Sequence, residues 1–138
     1  MEINKDLVAA SATPLVLAIL SEGESYGYAI QKRVSELSGG NLEWSDGMLY
    51  PVLHRLERLG LIAGKWQQAE TGRRRRYYRL TAKGEKQLAT ERQQWQAVDA
   101  ALRNVWSLDM LGEVGSRIFQ PTAASPLFGV PLTPANGD

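Results

Sequence analysis

Cysteine is absent from the 138 residues, and histidine occurs once, at position 54. Without thiols there can be no disulfide, no thiolate metal site and no cysteine nucleophile. Such a chain suits a reducing cytoplasm. With a single histidine, no glycine-rich phosphate loop and no grouping of metal ligands, no catalytic constellation can be assembled. Neither an enzyme nor a cofactor is therefore expected. Long apolar runs are missing as well. The best of them, Pro14-Leu15-Val16-Leu17-Ala18-Ile19-Leu20, falls short of the roughly 18 residues that cross a bilayer, so no membrane partner is expected. The opening Met1–Asp6 carries mixed charge and lacks the basic start of a secretory signal, which fits a cytoplasmic location.

What is present reads as one ordinary globular domain with an appended element. Hydrophobic residues make up 43% and charged residues 22%, the balance of a folded rather than a disordered chain. The net charge of +1 is uninformative, but its distribution is not. Between Gln31 and Lys86 twelve Lys or Arg face six Asp or Glu, while the remainder holds four bases and nine acids. Five of the arginines fall in Arg73-Arg74-Arg75-Arg76-Tyr77-Tyr78-Arg79. A basic centre between acidic ends is the footprint of a polyanion-binding face.

The periodicities predict a mainly α fold with one small β-hairpin. A first helix covers about 4–20, with Leu7, Ala10, Pro14, Leu17 and Leu20 at helical spacing. Either it kinks at Pro14, the preferred reading, or a new helix starts there with Thr13 as its cap. After a turn at 21–25, a second helix runs from about Tyr26 to Leu37, burying Tyr26, Ile30, Val34 and Leu37. Ser45 is a good N-cap for a third, from Asp46 to Leu59, stopped by Gly60. Leu61–Gln68 and Arg73–Leu80 read as strands around the turn Ala69-Glu70-Thr71-Gly72. Thr81 caps a long helix over 82–111, and residues 112–138, with four of the six prolines, read as a flexible tail.

This order is that of a winged helix-turn-helix domain over 1–81, followed by a long C-terminal dimerisation helix. In such a domain the third helix enters the major groove and the hairpin lies on the backbone or minor groove. Leu49, Leu53, Leu56 and Leu59 form its apolar stripe, leaving Gly47, Met48, Pro51, His54, Arg55 and Arg58 opposite. Ser45 and Gly47 are small enough to admit a close approach, and the helix start offers free amides to phosphate. Pro51 sits early, where it forfeits few intrahelical bonds. His54 has no partner set for a catalytic base and reads as a surface residue of this face. On the hairpin, Arg73, Arg75, Tyr77 and Arg79 share one side, and Arg74, Arg76, Tyr78 and Leu80 the other. Both sides cannot meet one duplex, so some arginines must be spare or pack on the protein. Tyr77 and Tyr78 read as strand-packing aromatics as readily as contacts.

Three stretches resemble the PadR family of transcriptional regulators. Leu17-Ala18-Ile19-Leu20-Ser21-Glu22-Gly23-Glu24-Ser25-Tyr26-Gly27-Tyr28-Ala29-Ile30 is similar to its opening helices. Gly47-Met48-Leu49-Tyr50-Pro51-Val52-Leu53-His54-Arg55-Leu56-Glu57-Arg58-Leu59-Gly60-Leu61-Ile62 resembles its recognition helix. Arg73-Arg74-Arg75-Arg76-Tyr77-Tyr78-Arg79-Leu80-Thr81-Ala82-Lys83-Gly84 is similar to its wing and the start of its last helix. Met48 departs from the threonine usual there. The resemblance implies sequence-specific binding to a double-stranded DNA operator, contact of Tyr50 with the DNA backbone, a clamp by Arg73 to Arg76, and repression.

In the long helix, Leu88, Trp95 and Leu102 recur every seven residues, as do Val98 and Val105, interrupted by Glu91 and Asp109. This imperfect coiled-coil stripe suits a homodimer or packing on the first helix. Asp99 lies one turn beyond Trp95 on the same face. A tryptophan beside a carboxylate suits a flat aromatic or cationic ligand, and Trp95-Gln96-Ala97-Val98-Asp99 resembles the multidrug-sensing, short-C-terminal branch of the family. By that resemblance and by helix geometry, Leu7, Ala10, Ser11 and Pro14 would form the opposite wall. Trp95 reads equally as a dimer-core aromatic with Asp99 an exposed acid. Two other classes stay open: a sequence-neutral nucleic-acid binder and a winged-helix protein adaptor.

Overall fold

The structure is a computed structural model that describes residues 1–118, of which 108–118 are described as backbone alone. The chain forms two compact units, Met1–Glu91 and a second beginning at Arg92. Its elements run α1 (Lys5–Ser21), β1 (Ser25–Tyr26), α2 (Gly27–Leu37), α3 (Asp46–Arg58), β2 (Ile62–Gln68), β3 (Arg74–Leu80) and α4 (Ala82–Ile118).

The first unit is built around apolar faces of three helices. Helix α1 starts at Asn4, whose Oδ1 accepts the Asp6 amide at 2.8 Å. Pro14 lies inside it, so Thr13 caps nothing and one helix carries Ala12, Val16, Leu17, Ile19 and Leu20 into the core. Helix α2 contributes Gly27, Ile30 and Val34. Leu37, expected to be buried, is half-exposed because α2 ends with it and the chain turns away through Gly39 and Gly40, both at positive φ. Helix α3 begins where Ser45 Oγ accepts the Met48 amide at 3.2 Å. It buries Leu49, Val52, Leu53 and Leu56. Leu59 does not complete the stripe. It is the C-cap, 48% exposed, and Gly60 at φ +78° reverses the chain there.

The sheet has three strands rather than the two of the expected hairpin, in the order β1-β3-β2. Strands β2 and β3 pair antiparallel from Ile62↔Leu80 to Gln68↔Arg74, and β1 joins the other edge of β3 through Ser25↔Tyr78 and Tyr26↔Tyr77. A two-residue strand is too short to show any alternation. Tyr26 therefore lies in the sheet, half-buried, and not on the face of α2. Tyr78 is buried against the helices with Ile62 and Leu61. The arrangement is a winged helix-turn-helix.

Thr81 caps α4 as expected, its Oγ1 accepting the Gly84 amide at 3.0 Å. Gly84 must be glycine because a Cβ there would overlap the Leu61 carbonyl oxygen. Leu88 belongs to the core of the first unit and not to a seam for a second helix. Helix α4 continues past the expected end at Leu111 to Ile118. Gly112 and Gly115 lower helix propensity by about 1 kcal/mol each without breaking the ladder, and no proline intervenes before Pro121. The rest of the expected tail lies outside the described residues. In the second unit α4 exposes Val98, Leu102, Val105 and Trp106, while Trp95 and Asp99 are half-covered. No helix among the described residues is long and apolar enough to cross a membrane.

Candidate nucleic-acid interface

Helix α3 turns its N-terminal half outward. Ser45, Gly47, Tyr50, Pro51, His54 and Arg55 are exposed, while Met48 is half-buried and packs against the core. Gly47 is not required by anything inside the protein. Its φ is not positive, and a Cβ there would meet only Ser45 Oγ at 3.8 Å, an ordinary contact. Its smallness can matter only to what approaches from outside. Pro51 has no N–H to return to the carbonyl four residues back, at Gly47. Tyr50 lies across the start of α2. A Cβ on Gly27 would collide with the Tyr50 hydroxyl, so the glycine makes the seat for that ring. His54 stands one turn on, its ring 6.4 Å from that of Tyr50.

The wing faces the same space. Arg73 and Arg74 are exposed near the tip, where the Ala69 amide donates to the Arg73 carbonyl and Gly72 adopts φ +91°. Register explains what the other arginines do. Arg76 opposes Trp66 directly, and cross-strand neighbours on one face touch. The Arg76 guanidinium sits 5.9 Å from the Trp66 ring and donates to Glu57 Oε2 of α3 at 2.5 Å. It passes over Gly64, where a Cβ would come within 2.7 Å of it. Arg74 covers the other part of Trp66, at 5.1 Å. Arg75 stacks at 4.3 Å on Tyr26, which meets Tyr77 edge-on at 5.2 Å. The expected spare arginines thus have names: Arg76 is tied to the protein by an acid and Arg75 by an aromatic ring. Arg55 is also engaged, its Nη2 donating to Thr13 Oγ1 of α1 at 2.5 Å.

Together these elements enclose an open cleft of about 740 Å³. Of the residues expected on the DNA face, Tyr50, His54 and Arg73 to Arg76 line it, while Ser45, Gly47, Met48, Pro51 and Arg55 do not. Tyr28, Gln31, Asp46 and the 53%-exposed Trp66 line it too, and these were not expected. Trp66 carried a faint signal, an aromatic on the polar stretch of a strand. Gln31 and Asp46 carried none, because their meeting across the turn is visible only in three dimensions.

The residues expected at a ligand pocket fall on two helices. Leu7, Ala10, Ser11 and Pro14 share one face of α1. Leu7 and Ala10 are exposed, and Ser11 Oγ donates to the Val8 carbonyl at 3.0 Å. Trp95 and Asp99 share a face of α4, and the Asp99 carboxylate accepts from Arg103 Nε at 2.7 Å.

A helix presented outward beside a cationic wing defines a winged-helix DNA-binding protein. The chain belongs to the PadR-like family of transcriptional regulators, whose family profile matches residues 16–90, and it is a DNA-binding regulator of that family. The transcriptional regulator Rv3488 of Mycobacterium tuberculosis is 46% identical over 57 residues, 41% of this chain and 52% of that protein. The transcriptional regulator YqjI of Escherichia coli is 30% identical over 89 residues, 64% of this chain and 41% of that one. The chain thus spans about half the length of these two relatives. Among solved structures, a PadR-like transcriptional regulator from Bacillus cereus superposes with a TM-score of 0.67 at 28% identity, covering 75% of this chain and 98% of that one.

Proposed function

We propose that this chain acts as a homodimeric repressor, with two copies of α3 in successive major grooves of one operator and the wings on the flanking backbone. The observation that carries this reading is the shared cleft. Tyr50 and His54 line it from a helix held from behind by four buried side chains, with Ser45, Gly47 and Pro51 exposed on the same helix end; across the cleft Arg73 stands free at the wing tip and Arg74 rests on Trp66. Met48 offers only an edge to the groove. Arg55 reaches a phosphate only by leaving Thr13, and Arg75 and Arg76 contribute positive potential from fixed places. The dimer is supported by Val98, Leu102 and Val105, exposed apolar side chains at three- and four-residue spacing on α4. Two recognition helices one DNA turn apart then read a palindrome.

The grip on DNA is set by a flat aromatic or cationic ligand at the dimer interface, as in a multidrug sensor. Trp95 would stack on it, with Asp99 beside it and Leu7, Ala10, Ser11 and Pro14 as the opposite wall. A cationic ligand would have to displace Arg103 from Asp99, which favours a ligand with a large aromatic area over a small charged one. Such a ligand works only by binding one spacing of the recognition helices better than another.

The test is fluorescence anisotropy of a labelled duplex from the region upstream of the gene, against a scrambled duplex, across a salt series. Operator affinity orders of magnitude above the control, with a steep salt slope, is the expected result. Equal, weak binding to both would overturn the reading in favour of a nucleic-acid binder without sequence preference. Sedimentation equilibrium checks the dimer. Trp95→Ala should abolish the ligand response and spare operator binding.

A further inference from the structure

Asp46 is the one acid among the described residues lining a cleft that four arginines also line. It is exposed at the first position of α3, the end of the helix that leads into the groove. A carboxylate there repels phosphate, so on a purely electrostatic DNA face it is a cost. Its helical position alone gives a bland account, since acids are stabilising at a helix start. Two observations go further. No arginine or lysine among the described residues lies within ion-pair distance of Asp46, so its charge is not spent on the wing. And Gln31 of α2 holds it: Gln31 Nε2 donates to Asp46 Oδ1 at 2.8 Å. That bond uses one oxygen and fixes the direction of the other.

What remains is a single oriented acceptor with a full negative charge at the leading end of a recognition helix. In the major groove guanine presents acceptors and thymine an acceptor and a methyl group, and both repel or ignore it. Adenine offers an amine, but with N7 beside it, so a carboxylate gains one bond and meets a second acceptor. Cytosine presents the N4 amine alone.

We propose that Asp46 is a specificity-determining residue that accepts a hydrogen bond from the N4 amine of a cytosine in the operator half-site, and that Gln31 positions it. This rests on the proposed placement of α3 in the major groove.

The experiment selects binding sites from a random duplex library with the full chain and with the Asp46→Ala, Asp46→Asn and Gln31→Ala variants, followed by anisotropy on the selected site and its single-base-pair changes. The wild-type chain should require C·G at one position of each half-site. Asp46→Ala should lose discrimination there by about fivefold or more and bind scrambled duplex more tightly. Asp46→Asn should shift the same position towards A·T, because a carboxamide matches adenine N6 and N7 together. Gln31→Ala should weaken preference at that position and no other. A helix-stabilising role would instead lower the melting temperature of Asp46→Ala and leave base preference unchanged at every position, which overturns the proposal while leaving the groove placement standing. A wild-type chain with no base preference at all overturns both.

Discussion

Helix α3 and strand β3 deliver side chains to the same cleft, but they are held in different ways. Behind α3 stand Leu49, Val52, Leu53 and Leu56, all buried, while on its outer side Asp46, Arg55 and Glu57 are held by single bonds to Gln31, Thr13 and Arg76. Behind β3 only Tyr78 is buried, and the strand is steadied through its charges, Arg76 on Glu57 and Arg75 on Tyr26. The helix is positioned by apolar packing that salt does not weaken, so its place does not depend on the bonds its polar groups make. The wing spends part of its charge on holding its own shape. Basic content is thus a poor measure of DNA contact: of four consecutive arginines, Arg76 is held by an acid, Arg74 and Arg75 rest on aromatic rings, and among the described contacts the Arg73 side chain alone has no partner within the protein.

The comparison can be broken most forcefully from the core. Leu53→Ala should cost about 2–5 kcal/mol of stability by denaturant unfolding, with operator binding lost as α3 loosens. A subtler change on the exposed side of the same helix separates stability from function. Gly47→Ala should raise stability by up to about 1 kcal/mol yet weaken operator binding about tenfold or more, as read by melting temperature and anisotropy together. On the wing, Arg73→Ala and Arg74→Ala should each lower the salt slope of binding by about one, for operator and scrambled duplex alike. Arg76→Ala should leave that slope unchanged and act through loosening of the hairpin. An equal slope change for all three would sink the distinction between Arg76, paired with an acid, and the two tip arginines, which are not. The smallest effect concerns Tyr78. Burial pushes its phenol above the ordinary value, more strongly than the neighbouring Arg76 pulls it down. A raised acid in the folded state favours folding below its unfolded pKa of about 10 and opposes it as pH rises further. Stability of the wild-type chain should therefore fall more steeply than that of Tyr78→Phe as pH rises from about 10 through the raised folded-state value.

The parts legible in the sequence were those with a local signature. Ser45 before an apolar stripe announced the start of α3, Thr81 that of α4, and the arginine run marked the wing. Ends were less legible: Leu59 continues the stripe in sequence, but the helix stops one residue earlier and turns it outward. Pairings between distant elements left no trace at all. Nothing in the order of residues tells that Arg76 meets Glu57, that Arg55 meets Thr13 or that Gln31 meets Asp46. Leu88 shows the same limit. A seven-residue repeat reads alike whether the helix faces a partner or its own domain, and at Leu88 it faces its own domain.

One joint has a practical consequence. Thr81 Oγ1 donates to the Gly60 carbonyl at 2.7 Å, Lys83 Nζ reaches the Leu59 carbonyl at 2.8 Å, and Gly84 lies flush against Leu61. The chain leaving the reading helix, Leu59 to Leu61, and the first turn of α4 are thus stitched within four residues. For an engineer this is a splice point. A foreign helix joined after Leu88 would inherit the whole DNA reader with its stitching and its core leucine intact. A splice at Ala82 would keep the Thr81 bonds but discard Lys83, Gly84 and Leu88, and the reader would lose part of its floor along with its handle.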